Sequence, residues 1–283
     1  MLVLEAAFET AKARKARVVM PERDEPRVAE AADRVAREGI AEPVDLAEVS
    51  EAQIEALVAT RGMKPAMAER LLRKPLYRAA AMVAAGEADT LVAGAANPTA
   101  EVIKAASMSI GLAEDVTVPS SFFLMLFPGG RQMVWADCAV NAYPDAAALE
   151  AIARASEITA RRLLGYARPA LLSFSTGTSG TGATVDMVRQ VAEATGFKGP
   201  IQADAALNAT IAATKGMGEG KANVLIFPSL DAGNIGYKLA QELAGAQALG
   251  PFLQGFAKPV CDLSRGAKVD DIVAATAVAS AML

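Results

Sequence analysis

Two periods of apolar and polar positions alternate along the chain. Arg17–Pro21 is an apolar run of strand length, and Pro26–Gly39 follows with Val28, Ala31, Val35 and Ala36 on one helical face. Helical spacing continues over Ser50–Arg61 and Pro65–Glu87, then Thr90–Gly94 predicts a strand leading into a helix from about Thr99. Val116–Phe127 and Arg131–Val140 predict two strands joined by the hairpin turn Pro128-Gly129-Gly130. Asp145–Gly165 reads as a long helix closed by Gly165. Beyond it come a strand over Pro169–Ser175, a helix over Thr184–Gly196, and strands over Ile201–Ala206 and Val224–Pro228. A helix follows from near Asn234, and another from Val269.

Strands alternating with helices, several of them continuous apolar runs, predict an α/β protein with mostly parallel sheets covered on both faces. The hairpin marks a mixed sheet in the middle segment. At 283 residues the chain is near twice a typical domain, so two units are expected, although no repeat or linker marks their boundary. Hydrophobic residues at 53% and charged residues at 21% are enough for a sizeable core and exclude disorder.

Charge narrows the partners. The balance of 28 basic and 32 acidic residues gives −4, with a pI near 5.2 and no basic stripe, which argues against nucleic acid. Ile272–Leu283, the longest apolar run, is too short to cross a membrane, and charges at Glu5, Glu9, Lys12, Arg14 and Lys15 exclude a signal peptide. The expectation is a soluble, cytoplasmic protein whose isolated Cys138 and Cys261 are buried thiols. Histidine is absent altogether. Imidazole bases, Ser-His and Cys-His nucleophiles and imidazole metal sites are thereby excluded, leaving carboxylates, Lys, Arg, hydroxyls and backbone amides for chemistry.

In open α/β sheets ligands bind beyond the carboxyl ends of strands, so the residues that follow each strand matter most. Three stretches qualify. Ser173–Gly182 follows a strand with ten residues rich in Gly, Ser and Thr, which suits a phosphate held by amides and hydroxyls. It lacks the ending of a Walker loop and the register of a dinucleotide loop. Phe227–Lys238 follows another strand, with Gly233 and Asn234 expected to open a helix and Lys238 one turn in; a helix cap alone would also explain Asn234. Lys258–Asp271 contains Ser264-Arg265-Gly266 before the last helix. There Arg265 can clamp a planar anion, and Asp270 or Asp271 can act as a base or merely complement the helix dipole.

Taken in order, these stretches resemble the phosphate acetyltransferase and phosphate butyryltransferase family. The resemblance rests on Ala88–Ala95, Ser120–Met125, Ala136–Asn141, the Ser-Thr-Gly loop, Ala222–Pro228, Gly233–Lys238, Leu253–Gly255, Lys258–Val260 and Asp262–Gly266. It covers Ala88 to the C-terminus and, more weakly, Val18–Val28. It implies two αβα domains with mostly parallel sheets, similar to isocitrate and isopropylmalate dehydrogenases, with a cleft between them. One domain would comprise residues 1–113 with 253–283, and the other residues 114–252, which would also form a homodimer. The implied reaction is acetyl phosphate plus coenzyme A giving acetyl-CoA plus phosphate. Coenzyme A is a substrate, no cofactor is permanently bound, and neither a metal nor an acyl-enzyme takes part.

The same resemblance puts the catalytic Asp on Asp271, seven positions after Ser264, and the catalytic Arg on Arg265. Ser264 would donate beside it. Ser175, Thr176, Gly177, Thr178 and Ser179 would hold the phosphoryl group, with Asn141, Asn234, Lys238, Lys104 and Arg61 as further substrate-binding residues. Departures from the family pattern are Glu242 in place of an Arg, Lys104 in place of an Arg, Cys261 in place of an Asn, and a shortened stretch over Pro43–Arg61. A butyryl or other short acyl chain is the neighbouring expectation, because a methylene changes pocket binding by only about 1–3 kcal/mol. A non-catalytic acyl-CoA-sensing module is the rival from another class. A metal-dependent dehydrogenase of the isocitrate type would need a carboxylate cluster, which is not visible here.

Overall fold

Helix α1 (Val3–Arg14) buries Val3, Ala7 and Ala11, which recur every four residues and so share one face. That face packs on α12 (Val269–Ala281), in which every residue from Ile272 to Ala281 is buried. Alanines and other small side chains let α12 be covered on all sides by close neighbours. The structure, a computed structural model, describes Leu2–Leu283. The chain forms two compact units, Met1–Thr117 with Leu249–Leu283 and Val118–Ala248.

The sheet of the first unit contains β1 (Arg17–Val19), β2 (Glu42–Val44), β3 (Thr90–Ala93), β9 (Gln247–Gln254) and β10 (Val260–Asp262). Its order is β2-β1-β3-β10-β9, parallel throughout except for the antiparallel β9. Around it run α2 (Pro26–Arg37), α3 (Glu51–Arg61), α4 (Pro65–Leu72), α5 (Pro75–Ala84) and α6 (Thr99–Ser109). The expected single helix over Pro65–Glu87 is two helices. Lys74 precedes Pro75 and is extended (φ −83°, ψ 123°), because the proline ring disfavours the helical conformation in the residue before it.

In the second unit the sheet order is β4 (Ser120–Leu126), β5 (Gln132–Ala136), β8 (Val224–Ile226), β6 (Pro169–Leu172) and β7 (Lys198–Ile201). The β4–β5 pair is the antiparallel hairpin, and the remaining pairs are parallel. The helices are α7 (Ala146–Leu164), α8 (Ala183–Thr195), α9 (Ala203–Leu207), α10 (Ala209–Lys215) and α11 (Leu230–Ala244). Phe123 stacks on Tyr237 at 4.2 Å between ring centroids, and Trp135 and Phe227 extend this core. Gly165 closes α7 in the left-handed conformation, as its position predicts.

Two boundaries need correction. The strand expected over Ile201–Ala206 ends at Ile201, and the alanine-rich residues that follow are helical, in line with their propensity. The helix expected from Asn234 begins one turn earlier, where the Ser229 hydroxyl accepts the Ala232 amide at 3.3 Å as N-cap. Neither β2 nor β9 was expected, since each carries a proline. No helix among the described residues is long and apolar enough to cross a membrane.

Candidate functional site

In the first unit the candidate residues follow the carboxyl end of β10. Ser264 and Arg265 are exposed, and no ion pair engages the Arg265 guanidinium among the described residues. The Ser264 hydroxyl accepts the Gly266 amide at 3.3 Å, and its carbonyl accepts Ala267 at 2.9 Å, which makes the loop a tight turn. Asp271 is half-buried in the first turn of α12, where its Oδ2 accepts the Lys268 amide at 3.0 Å. Its neighbour Asp270 points elsewhere and is tied to Arg34. The two aspartates that pattern alone left equivalent therefore differ in surroundings.

Beneath this turn lies a support that sequence reasoning missed. Arg27, on the first turn of α2, donates through Nη1 to the carbonyl oxygens of Arg265 and Ala267 and through Nε to Glu25. Glu22 is buried, and its carboxylate accepts the backbone amides of Ala95, Ala96 and Asn97 at 2.8, 3.1 and 2.8 Å. It also accepts the Asn97 side-chain amide at 2.6 Å. Asp262, the last residue of β10, is fully buried. Burial, with the Glu22 charge adding to it, pushes its carboxyl up to about 7. Gly94 makes room for it: at φ +107°, a Cβ there would lie 2.2 Å from Asp262 Oδ1.

Lys104 lies exposed on α6, 3.9 Å from Glu101. Arg61 donates through Nε and Nη2 to the Ser107 carbonyl at 3.1 and 2.8 Å, an engagement that favours a structural role at the end of α6.

In the second unit the Ser-Thr-Gly loop runs from β6 to α8. Ser175 and Thr176 are buried, and their hydroxyls bond inward: Ser175 Oγ to Ser179 Oγ at 3.2 Å and Thr176 Oγ1 to Gln202 Oε1 at 3.2 Å. The amides of Ser175, Thr176, Gly177 and Ser179 are also satisfied within the unit, by Ser173 Oγ, Ser179 Oγ, the Pro200 carbonyl and the Thr176 carbonyl. Fewer amides than the sequence implied are therefore free to meet an anion. The donors left facing outward are those of exposed Thr178 and of the start of α8, where the cap residue is Gly182 and supplies no side-chain oxygen. A cavity of about 460 Å³ borders Gly177 and Thr178 and is lined also by Arg189 and Lys198.

Asn141 is held by a second buried carboxylate. Asp137 accepts the amides of Ala139, Val140 and Asn141 at 3.0, 3.2 and 2.9 Å, the Asn141 side-chain amide at 2.6 Å and the Ser121 hydroxyl. Glu22 makes the same pattern on Asn97 in the first unit. In each case three consecutive amides and an Asn side chain close on one carboxylate after a strand. The only signal in the sequence is an Asn that ends a short run after a strand.

Asn234 lies inside α11 rather than at its start, and its Nδ2 donates to the Cys138 carbonyl at 3.2 Å. Gly233 allows this approach, since a Cβ there would be 2.3 Å from the Asp137 carbonyl oxygen. Lys238 sits over the Tyr237 ring at 5.0 Å. Glu242 is exposed on the same helix. Cys138 and Cys261 are both buried and free, and burial pushes both thiols well up, the direction of unreactive sulfur. No group of three or more Cys, Asp and Glu side chains among the described residues is placed to hold a metal ion.

The family described as phosphate acetyl/butaryl transferase matches residues 2–60 and 52–280. A phosphate acetyltransferase from Paracoccus denitrificans is 41% identical over 313 residues, covering 98% of this chain and 98% of the relative. A phosphate acetyltransferase from Thermoanaerobacterium thermosaccharolyticum is 39% identical, with 96% and 97% covered. Among solved structures, a phosphotransacetylase from Streptococcus pyogenes superposes with a TM-score of 0.92 at 34% identity, covering 99% of this chain and 97% of that one.

Proposed function

Because the chain belongs to the phosphate acetyl/butyryl transferase family and is an acyltransferase, we propose that it exchanges an acetyl group between phosphate and coenzyme A. Acetyl phosphate and coenzyme A would form a ternary complex and give acetyl-CoA and phosphate, reversibly, with no permanently bound cofactor. The observation that carries this reading is a single segment, from the end of β10 into α12. It presents a hydroxyl, a guanidinium without an ion pair and a carboxylate within eight residues, Ser264 to Asp271.

A free thiol with a pKa of roughly 8.5 is only a few per cent thiolate at neutral pH. Asp271 takes the thiol proton as sulfur attacks the acetyl carbonyl, a contribution of typically ~10²–10⁴-fold. The carbon–oxygen bond to phosphate then breaks, and phosphate leaves with its negative charge. Arg265, with Ser264 as a hydroxyl donor, stabilises the charge that develops on the carbonyl and phosphate oxygens. Thr178, in the loop Ser175–Ser179, and the start of α8 bind the phosphoryl group. Asn141, Asn234, Lys238 and Lys104 serve as polar contacts to substrate. Two small reactants held in line account for much of the remaining acceleration.

Free coenzyme A as substrate implies a cytoplasmic setting. A homodimer through the second unit is supported by α11, on which Ile235, Leu239 and Leu243 are exposed at four-residue spacing.

The deciding experiment measures thioester formation from coenzyme A with acetyl, propionyl and butyryl phosphates, with and without chelator. Turnover that is fastest with acetyl phosphate and indifferent to chelator is the expected result. Acyl-CoA binding without turnover would instead mark a sensing module, and faster turnover with butyryl phosphate would reassign the acyl chain.

A further inference from the structure

The buried carboxyl of Asp262 is not used by the proposed chemistry, yet it stands two residues before Ser264. Both of its oxygens are buried, and neither accepts a hydrogen bond of ordinary geometry. An ionised carboxyl in such a place, with no cation acting on it, is costly, whereas the neutral acid is not. Around it the chain leaves little slack. Gly94 is pressed against Asp262 and Leu263, and the Leu263 amide bonds to the Ala93 carbonyl. The turn that follows Gly94 is locked by Glu22 through three backbone amides.

We propose that Asp262 is a positioning residue for Ser264 and Arg265, a neutral wedge between the turn after β3 and the loop after β10, whose loss of a proton displaces that loop. The proton goes to solvent. What remains is an unpaired charge beside the Glu22 carboxylate, and the outlet for that charge is toward the exposed residues 264–266.

The groups that face Asp262 agree with this. Burial is the largest influence; from α6, the Thr99 hydroxyl favours the charge, but burial, joined by Glu22 from the turn after β1, outweighs it and pushes the carboxyl up to about 7. On β10 itself the Cys261 thiol is pushed up by burial and then by Asp262, so it supplies no charge below that range. Next to it in the sheet, β9 sets the uncharged Phe252 opposite Cys261 and Leu253 opposite Val260. From α2, Arg27 acts on Glu25 and Glu22 and on the loop carbonyls. On α12, Asp270 is paired with Arg34 and Asp271 accepts the Lys268 amide.

The importance of this wedge for turnover rests on the proposed transferase reading, so the test has arms that do not. Infrared titration of the full-length protein reads the carbonyl band of the protonated acid. A band lost as pH rises through about 7 and missing from Asp262→Asn is expected. Trypsin cleavage after Arg265, taken as the ratio of wild type to D262N, is expected to rise over the same range. For turnover, the ratio of D262N to wild-type kcat is read one pH unit either side of the midpoint, which cancels the ionisation of the thiol. It should rise about tenfold, as a single ionisation requires. A flat ratio, an unchanged cleavage ratio, or a wild-type band that does not titrate overturns the proposal. If D262N does not fold, the wild-type titration still decides. If the wild type shows no turnover with any acyl phosphate, the transferase reading fails while the infrared and cleavage arms still decide the wedge.

Discussion

Arg27 donates from a single nitrogen, Nη1, to the carbonyl oxygens of Arg265 at 2.9 Å and of Ala267 at 2.7 Å. One side chain from α2 thus fixes the backbone that carries the proposed clamp, and Glu25 holds the guanidinium in turn at 2.8 Å. Arg27→Ala should leave these acceptors to water, since the bond to Arg265 is exposed and that to Ala267 only part-buried, at a cost of about 1 kcal/mol in stability. Turnover should suffer far more, because a displacement of about 1 Å at a reacting group can cost about 100-fold. The expected outcome is a kcat lower by roughly 10- to 100-fold with Tm almost unchanged, measured side by side. Equal kcat in the two proteins would show that Arg265 does not depend on this support.

Asp271 has two roles that substitution can separate. Its Oδ2 accepts the Lys268 amide at the start of α12, a capping interaction typically worth about 1 kcal/mol. Asp271→Asn keeps an oxygen for that amide but has no basic carboxylate. It should therefore lose ~10²–10⁴-fold in kcat while keeping its Tm and its affinity for coenzyme A. Asp271→Ala should lose the same activity and also some stability. Calorimetric titration of coenzyme A into both variants, beside their turnover, checks the separation. A D271N variant that turns over as wild type would remove Asp271 from the chemistry.

The α/β class and most helices were legible because their apolar periods are long and regular, as in Pro26–Arg37 and Ala146–Leu164. Strands β2 and β9 were not, because Pro43 and Pro251 interrupt runs that tertiary pairing nevertheless completes. For the site, exposed loop residues such as Ser264 and Arg265 stood out, since Gly, Ser and Arg after a strand form a local signal. The residues that hold them did not. Arg27 lies 238 positions from Arg265, and Glu22 lies 73 positions from Ala95. No local pattern encodes such pairs. The Ser-Thr-Gly loop shows the converse limit: its composition announced many donors, yet half-hidden bonds such as Ser175 to Ser179 consume several of them.

Asp262 should also leave a mark on stability that owes nothing to catalysis. In the folded chain it keeps its proton up to about 7, whereas in an unfolded chain a carboxyl gives it up at roughly 4. Between those values the folded state binds the extra proton. The contribution of Asp262 to stability is therefore fully present below about pH 4, falls as pH rises, and levels off above about 7. The loss is on the order of 4 kcal/mol. Asp262→Asn lacks the titrating group, so the gap between its urea midpoint and that of the wild type should widen in its favour across this window. Parallel curves for the two proteins would mean that the carboxyl is solvated when folded.

On α11 the exposed Ile235, Leu239 and Leu243 form one stripe, while Gly233 and Tyr237 on the same helix are buried in the second unit. A helix that buries one face and leaves three large apolar side chains on another has surface to hide, and a second copy of the chain is the expected cover. Leu239 is 52% and Leu243 81% exposed, so Leu239→Glu with Leu243→Glu removes no core contact and should leave the fold of a single chain intact. Sedimentation should then show the wild type as a dimer and the double variant as a monomer, with matching circular dichroism. Two charges placed on an apolar contact of this kind are expected to weaken association by several kcal/mol, enough to dissociate it at micromolar concentration. An unchanged sedimentation coefficient would assign the dimer contact, if one forms, to a different face.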